Sequence, residues 1–221
     1  MMLLPRLLKG KNKFNQKQLS EMSYDTGIRH QMKYANKNFI HQFALRHFFD
    51  SVAKEIGGIP RERVLDFGCG EGLLLQELKK RSVYFKYLLG IDLREDALEQ
   101  ARSLHSDYVF EIKNILEWEC NPKSFDLIIA SEVLEHLIEP EPVMAKLAEL
   151  SSKDLLLTVP LEPWFRIINL LRGRDIRRFG NHPEHVNKWG LNGFVDLVSK
   201  YVKVKNARIS FPFIIVSASA G

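Results

Sequence analysis

From residue 37 to residue 56 apolar side chains recur at helical spacing, at Phe39, Ile40, Phe43, Ala44, Phe48, Val52 and Ile56. Gly57 and Gly58 follow, where a helix would stop. The pattern then alternates. Short apolar runs at Arg63–Phe67, Tyr87–Asp92, Tyr108–Ile112, Phe125–Ala130 and Asp154–Val159 predict strands, and Gly72–Arg81, Glu95–Ser103 and Val143–Leu150 predict helices among them. The run FDLIIA at 125–130 reads as a strand covered on both faces. Strand and helix in alternation predict a doubly wound α/β domain, its sheet mostly parallel with helices on both faces. Past Pro160 the rhythm breaks. Residues 161–190 are too long for an ordinary connection and read as an insertion capping one edge of the sheet. A helix at Leu191–Lys200 precedes two strands, Val202–Ser210 and Phe213–Ala218, close enough to permit only a hairpin, so the sheet ends in an antiparallel pair. With no repeat and no linker, residues 1–221 read as one domain with an N-terminal arm over 1–35.

Composition narrows the class. An apolar fraction of 45 % supports one substantial core. The two cysteines, Cys69 and Cys120, have neither disulfide-framework nor metal-ligand spacing, which fits a reducing, cytoplasmic setting. No long apolar run offers a membrane span, and the opening MMLLPRLL is too short for a signal segment. The net charge of +5 resides in residues 1–20, which carry Arg6, Lys9, Lys11, Lys13 and Lys17 and no acid. The arm reads as a solvated tail or as a contact for nucleic acid or an anionic membrane surface.

The sharpest motif is Asp66-Phe67-Gly68-Cys69-Gly70-Glu71-Gly72, where the first strand turns into a helix. Glycines there let backbone approach a ligand closely. The dinucleotide fingerprint requires its third glycine at position 73, which is Leu73, and the preceding acid, Asp66, would repel a pyrophosphate. A cationic ligand would be attracted. Asp92, at the tip of the second strand, stands where a carboxylate accepts hydroxyls of a ribose; the bland alternative is a helix cap.

On these residues the chain resembles the class I S-adenosylmethionine (SAM)-dependent methyltransferases, from about Tyr34 to the final hairpin. The resemblance implies a Rossmann-like seven-stranded sheet of order 3-2-1-4-5-7-6 and SAM as cofactor. It implies that Asp66, Gly68, Cys69, Gly70 and Gly72 surround the methionine portion, with Ser131 beside it. Asp92 would take the ribose and Leu93 the adenine face. Asn114-Ile115 falls where the family often has an Asp for the adenine amino group; the Asn114 oxygen can still accept that bond.

Beyond the fourth strand, Ser131-Glu132-Val133-Leu134-Glu135-His136-Leu137 puts Glu132, Glu135 and His136 on one face if the segment is helical. A second polar cluster, Gly180-Asn181-His182-Pro183-Glu184-His185-Val186-Asn187-Lys188-Trp189, lies in the insertion, with Asn181, Glu184 and Asn187 beside the two histidines. Two readings compete. In one, Glu132, Glu135, His136 and either His185 or His182 hold a divalent ion (Mg²⁺, Mn²⁺ or Zn²⁺) that acidifies an acceptor hydroxyl. This arrangement resembles ubiquinone-pathway O-methyltransferases and small-RNA 2′-O-methyltransferases. In the other, no metal binds and His136, His182 or His185 is a general base. The insertion also carries an apolar stretch, Trp164, Phe165, Ile167, Ile168, Leu170 and Leu171, then Arg172, Arg174, Arg177 and Arg178. It reads as a packed helix with a solvated basic turn, a site for a lipid-like acceptor, or a grip on a phosphate. The leading expectation is methylation of an oxygen on a small, hydrophobic acceptor. RNA methylation is the alternative, and a non-catalytic SAM-binding regulator the reading from another class.

Overall fold

A computed structural model describes residues 39–59, 61–162, 164 and 186–220, all within the compact unit Lys37–Gly221. The elements in chain order are α1 (Phe39–Gly57), β1 (Arg63–Phe67), α2 (Leu73–Lys79), β2 (Tyr87–Asp92), α3 (Glu95–Leu104), β3 (Val109–Ile112), β4 (Phe125–Ser131), α4 (Pro140–Leu150), β5 (Ser151–Pro160), α5 (Leu191–Ser199), β6 (Lys203–Ser210) and β7 (Phe213–Ser219). The strands form one seven-stranded sheet of order β3-β2-β1-β4-β5-β7-β6. Neighbours are parallel except β7, antiparallel to both β5 and β6. The fold class and strand order are those expected.

Strand composition follows position. The interior strands β4 and β7 are buried over six consecutive residues each, whereas the edge strands β3 and β6 alternate between exposed and covered positions. Helices start where sequence chemistry favours it. Glu95 and Asp96 occupy the first turn of α3, where the positive end of the helix dipole favours acids, and Pro140 opens α4 without forfeiting a hydrogen bond. One phase differs from expectation. The buried stripe of α1 is Leu45, Phe48, Phe49, Val52 and Ile56, while Phe43 is 62 % exposed. Two residues, about 200° of helical rotation, separate Phe43 from Leu45, so the two cannot share a face. The stripe packs on β7, with the Phe48 and Phe213 rings 4.3 Å apart. Among the described residues no helix is long and apolar enough to cross a membrane.

Strand order reverses at β1, with β2 on one side and β4 on the other. The C-terminal ends of β1 and β4 therefore open a crevice, the place where open α/β sheets bind ligands.

Candidate functional site

The loop from Phe67 to Gly72 is laid down by its neighbours. The N–H groups of Gly68 and Cys69 both donate to the carbonyl of Ile91, at 2.8 and 3.2 Å, and Gly72 N–H donates to the Cys69 carbonyl at 3.0 Å. Gly68 and Gly72 lie at φ +70° and +73°, in the left-handed region that side chains disfavour. At Gly68 space is limiting too, because an added Cβ would stand 2.4 Å from Val133 Cγ2. Gly68→Ala is expected to lower stability by about 2 kcal/mol, and adding Val133→Ala to recover the steric part but not the backbone part. Thermal unfolding of both variants checks this; a Gly68→Ala protein as stable as the parent contradicts it.

Asp92 organises the other wall. Its Oδ2 accepts the Gly70 N–H at 2.9 Å and its Oδ1 accepts the Arg94 N–H at 3.0 Å. Each oxygen keeps a second lone pair for a ligand hydroxyl. Glu71, buried within the loop, pairs with Arg94 at 2.6 Å and ties the loop to the start of α3. Asp66 is the electrostatic anomaly. It is 2 % exposed and its Oδ2 is buried with no hydrogen-bond partner. Burial, and secondarily the Asp92 charge, push its carboxyl up to about 7. A buried acid with an orphaned oxygen beside a second carboxylate lacks a cation, and the ammonium of an aminoacyl ligand would supply one. Burial and the Asp66 charge also drive the Cys69 thiol well up, so it stays neutral.

Leu93, next to Asp92, is 69 % exposed. Ile115 is buried in the main core cluster. Asn114 is exposed, and its Oδ1 accepts the Leu116 N–H at 3.2 Å, capping a turn after β3. Ser131 Oγ and Thr158 Oγ1 lie 2.8 Å apart and join the ends of β4 and β5.

The segment after Ser131 is not the helix on which a shared face for Glu132, Glu135 and His136 depended. Glu132 has φ +59°, and only a single 3₁₀ turn, Leu134–His136, follows. The left-handed residue reverses chain direction, so Glu132, Glu135 and His136 do not share a helical face. Glu132 N–H donates to the Thr158 carbonyl, and its carboxylate lies near the Thr158 hydroxyl at 3.5 Å. Glu135 is 2 % exposed, with Oε1 3.8 Å from His136 Nε2. Among the described residues no three His, Cys, Asp or Glu side chains gather as a metal site.

His182 and His185, like the arm over 1–35, lie outside the described residues. The chain immediately after His185 is described. Val186 and Asn187 N–H groups donate to the Glu135 carbonyl at 2.9 and 3.0 Å, and Asn187 Nδ2 donates to the Leu137 carbonyl at 2.5 Å. The end of the insertion is thus fastened to the Glu135–His136 turn. The sequence put no site role on Glu71 or Thr158, whereas Asn187 stands in the second polar cluster. Glu71 was discoverable, as a charge inside a glycine loop; Thr158 and Asn187 act through partners 26 and 50 residues away.

The chain belongs to the methyltransferase domain family, whose model matches residues 28–201. It is 35 % identical over 104 residues to a ubiquinone biosynthesis O-methyltransferase of Neisseria meningitidis, covering 42 % of this chain and 41 % of that protein. The same-named protein of Hahella chejuensis is 35 % identical over 105 residues, covering 44 % and 42 %. The chain therefore aligns with less than half the length of these relatives. In fold it is similar to the SAH-bound magnesium protoporphyrin IX methyltransferase of Synechocystis PCC 6803, with TM-score 0.69, 17 % identity, and coverage of 94 % of this chain and 100 % of that one. A SAM-dependent methyltransferase from Aquifex aeolicus has TM-score 0.60 and 16 % identity, covering 78 % and 89 %.

Proposed function

We propose that this protein transfers a methyl group from SAM to a hydroxyl oxygen of a small, apolar acceptor. The observation that carries the cofactor half is the buried Asp66 carboxylate, orphaned beside Asp92 under a glycine loop. The residues fit SAM. Asp66 would face the ammonium, Asp92 the ribose hydroxyls and Leu93 the adenine, while Gly68 and Gly70 keep the loop low enough for contact. When bound, SAM supplies a methyl carbon activated by a positive sulfur, so an acceptor oxygen forms its new bond as the sulfur–carbon bond breaks. The protein's contribution is alignment and exclusion of water at the ends of β1 and β4. The acceptor's hydroxyl proton passes to an imidazole, that of His136, His182 or His185, the side-chain type suited to accept it. Glu135 beside His136 favours the charged form that results. The left-handed Glu132 adds support, since strained backbone at such a place is held for function. The O-methyltransferase names of the relatives support oxygen as the acceptor atom. Among the described residues Glu132, Glu135 and His136 form no three-donor cluster, and His182 and His185, the other ligands of the metal reading, lie outside them.

The test is transfer of radiolabelled methyl from SAM to a panel of phenols, catechols and aliphatic alcohols with and without alkyl chains, and to RNA, with Mg²⁺, Mn²⁺ or Zn²⁺ added or chelated. Turnover of alkylated hydroxyl compounds that persists under chelation is expected. Labelling of RNA alone would overturn the small-molecule reading. Tight SAM binding without transfer to any acceptor would make the protein a SAM-binding regulator.

A further inference from the structure

His105 ends α3, far in sequence from the glycine loop, yet its ring lies beneath that loop. It is 2 % exposed, and its Nε2 lies 2.9 Å from the Gly72 carbonyl. A carbonyl only accepts, so Nε2 carries the proton and donates. The tautomer leaves Nδ1 with a lone pair, buried and with no partner in the protein. Burial lowers the ring's pKa and keeps it neutral. The Gly72 carbonyl also accepts the Gln76 N–H at 3.0 Å, the first helical bond of α2. Contact is tight as well as polar. A Cβ on Gly72 would meet His105 Cδ2 at 2.8 Å, and one on Gly90 would meet Phe110 Cδ1 at 2.5 Å, with the His105 and Phe110 rings 6.3 Å apart. These two rings form a floor under the loop and under β2.

We propose that His105 is a positioning residue for the cofactor: its Nε2–H pins the Gly72 carbonyl and so fixes the left-handed turn that presents Gly70 to the ligand. The inference rests on the SAM reading above. A loop held before the ligand arrives loses less freedom on binding, so removal of the pin appears as weaker affinity in a protein that still folds. A general packing role for His105 would lower stability without changing the affinity of the molecules that remain folded.

The test uses the demethylated cofactor product, S-adenosylhomocysteine, in calorimetric titration, with thermal unfolding measured alongside. His105→Phe keeps a ring and loses the donor, and its Kd is expected to rise about tenfold. His105→Gln restores a side-chain N–H that reaches the Gly72 carbonyl, and its Kd is expected within about threefold of the parent. A His105→Phe protein that binds like the parent, or a Gln variant no better than Phe, overturns the proposal. Should His105→Phe fail to fold, the parent still decides the matter by NMR. The exchange of the His105 Nε2 proton with water is expected to slow at least about tenfold on saturation with the ligand, and an unchanged rate overturns the proposal. A parent protein that binds no S-adenosylhomocysteine would instead sink the SAM reading itself.

Discussion

Asp92→Ala is expected to weaken SAM or S-adenosylhomocysteine binding by about two orders of magnitude. The substitution does more than delete a ribose contact. It leaves the N–H groups of Gly70 and Arg94, now 2.9 and 3.0 Å from the carboxylate, without their acceptor. Water can meet these partly buried donors in the free protein but is excluded when the ligand covers them, so each costs the complex about 1 kcal/mol, and the lost bonds to the ligand hydroxyls add about 1 kcal/mol more. About 3 kcal/mol in all corresponds to roughly a hundredfold in Kd. Asp92→Asn keeps one acceptor oxygen and should fall between the two. Calorimetric titration of all three proteins checks the series; an alanine variant binding within about threefold of the parent would refute the assignment of this wall.

The second large effect is on pH. In the free protein the Asp66 carboxyl titrates at about 7, against 3.8 when unperturbed, because burial first and Asp92 second oppose its charge. The folded protein thus holds a proton that the unfolded chain has already released. The stability this proton confers is fully present below about pH 4 and is lost progressively as pH rises through about 7, on the order of 4 kcal/mol in total. A cationic ligand reverses the preference, because it needs the carboxylate ionised. Binding below neutrality must therefore expel a proton, and affinity should fall about tenfold per pH unit from pH 7 down to about pH 5. Titration in buffers of different ionisation enthalpy would count that proton, and Asp66→Asn should abolish both the count and the slope. A flat affinity over this range would mean that Asp66 does not meet the ligand's charge.

Much of this was legible in the sequence because the relevant signals are local. Apolar runs such as 125–130 and 154–159 mark strands that both faces cover, and the structure finds β4 and β5 there with ends extended by a residue or a few. The loop at 66–72 declares itself because its demand is for backbone conformation, and glycine is the residue that meets it. What stayed hidden is of two kinds. Glu132 leaves the helical region at a single residue, and one φ angle removed the shared face that spacing had promised for Glu132, Glu135 and His136. Propensity has no term for a strand end that must turn under a neighbouring carbonyl. The floor made by His105 and the clasp made by Asn187 are tertiary facts, set by partners 33 and 50 residues distant. Phe43 shows the same limit in the core, where helical phase decides that Leu45, two residues on, is the one covered.

The position of β7 has a consequence for how the chain is made. Of the seven strands it is the last to be synthesised, yet it lies inside the sheet, between β5 and β6. Until residues 213–219 leave the ribosome, β5 carries an unpaired apolar edge and β6 has no neighbour. The half bearing the glycine loop and Asp92, β1 to β4, has its pairings in hand much earlier. During synthesis the cofactor half can take shape first while the edge of β5 waits, open to the wrong partner, for the strand that will shield it. The last of the seven strands to be translated thus decides whether the sheet closes or leaves a template for aggregation.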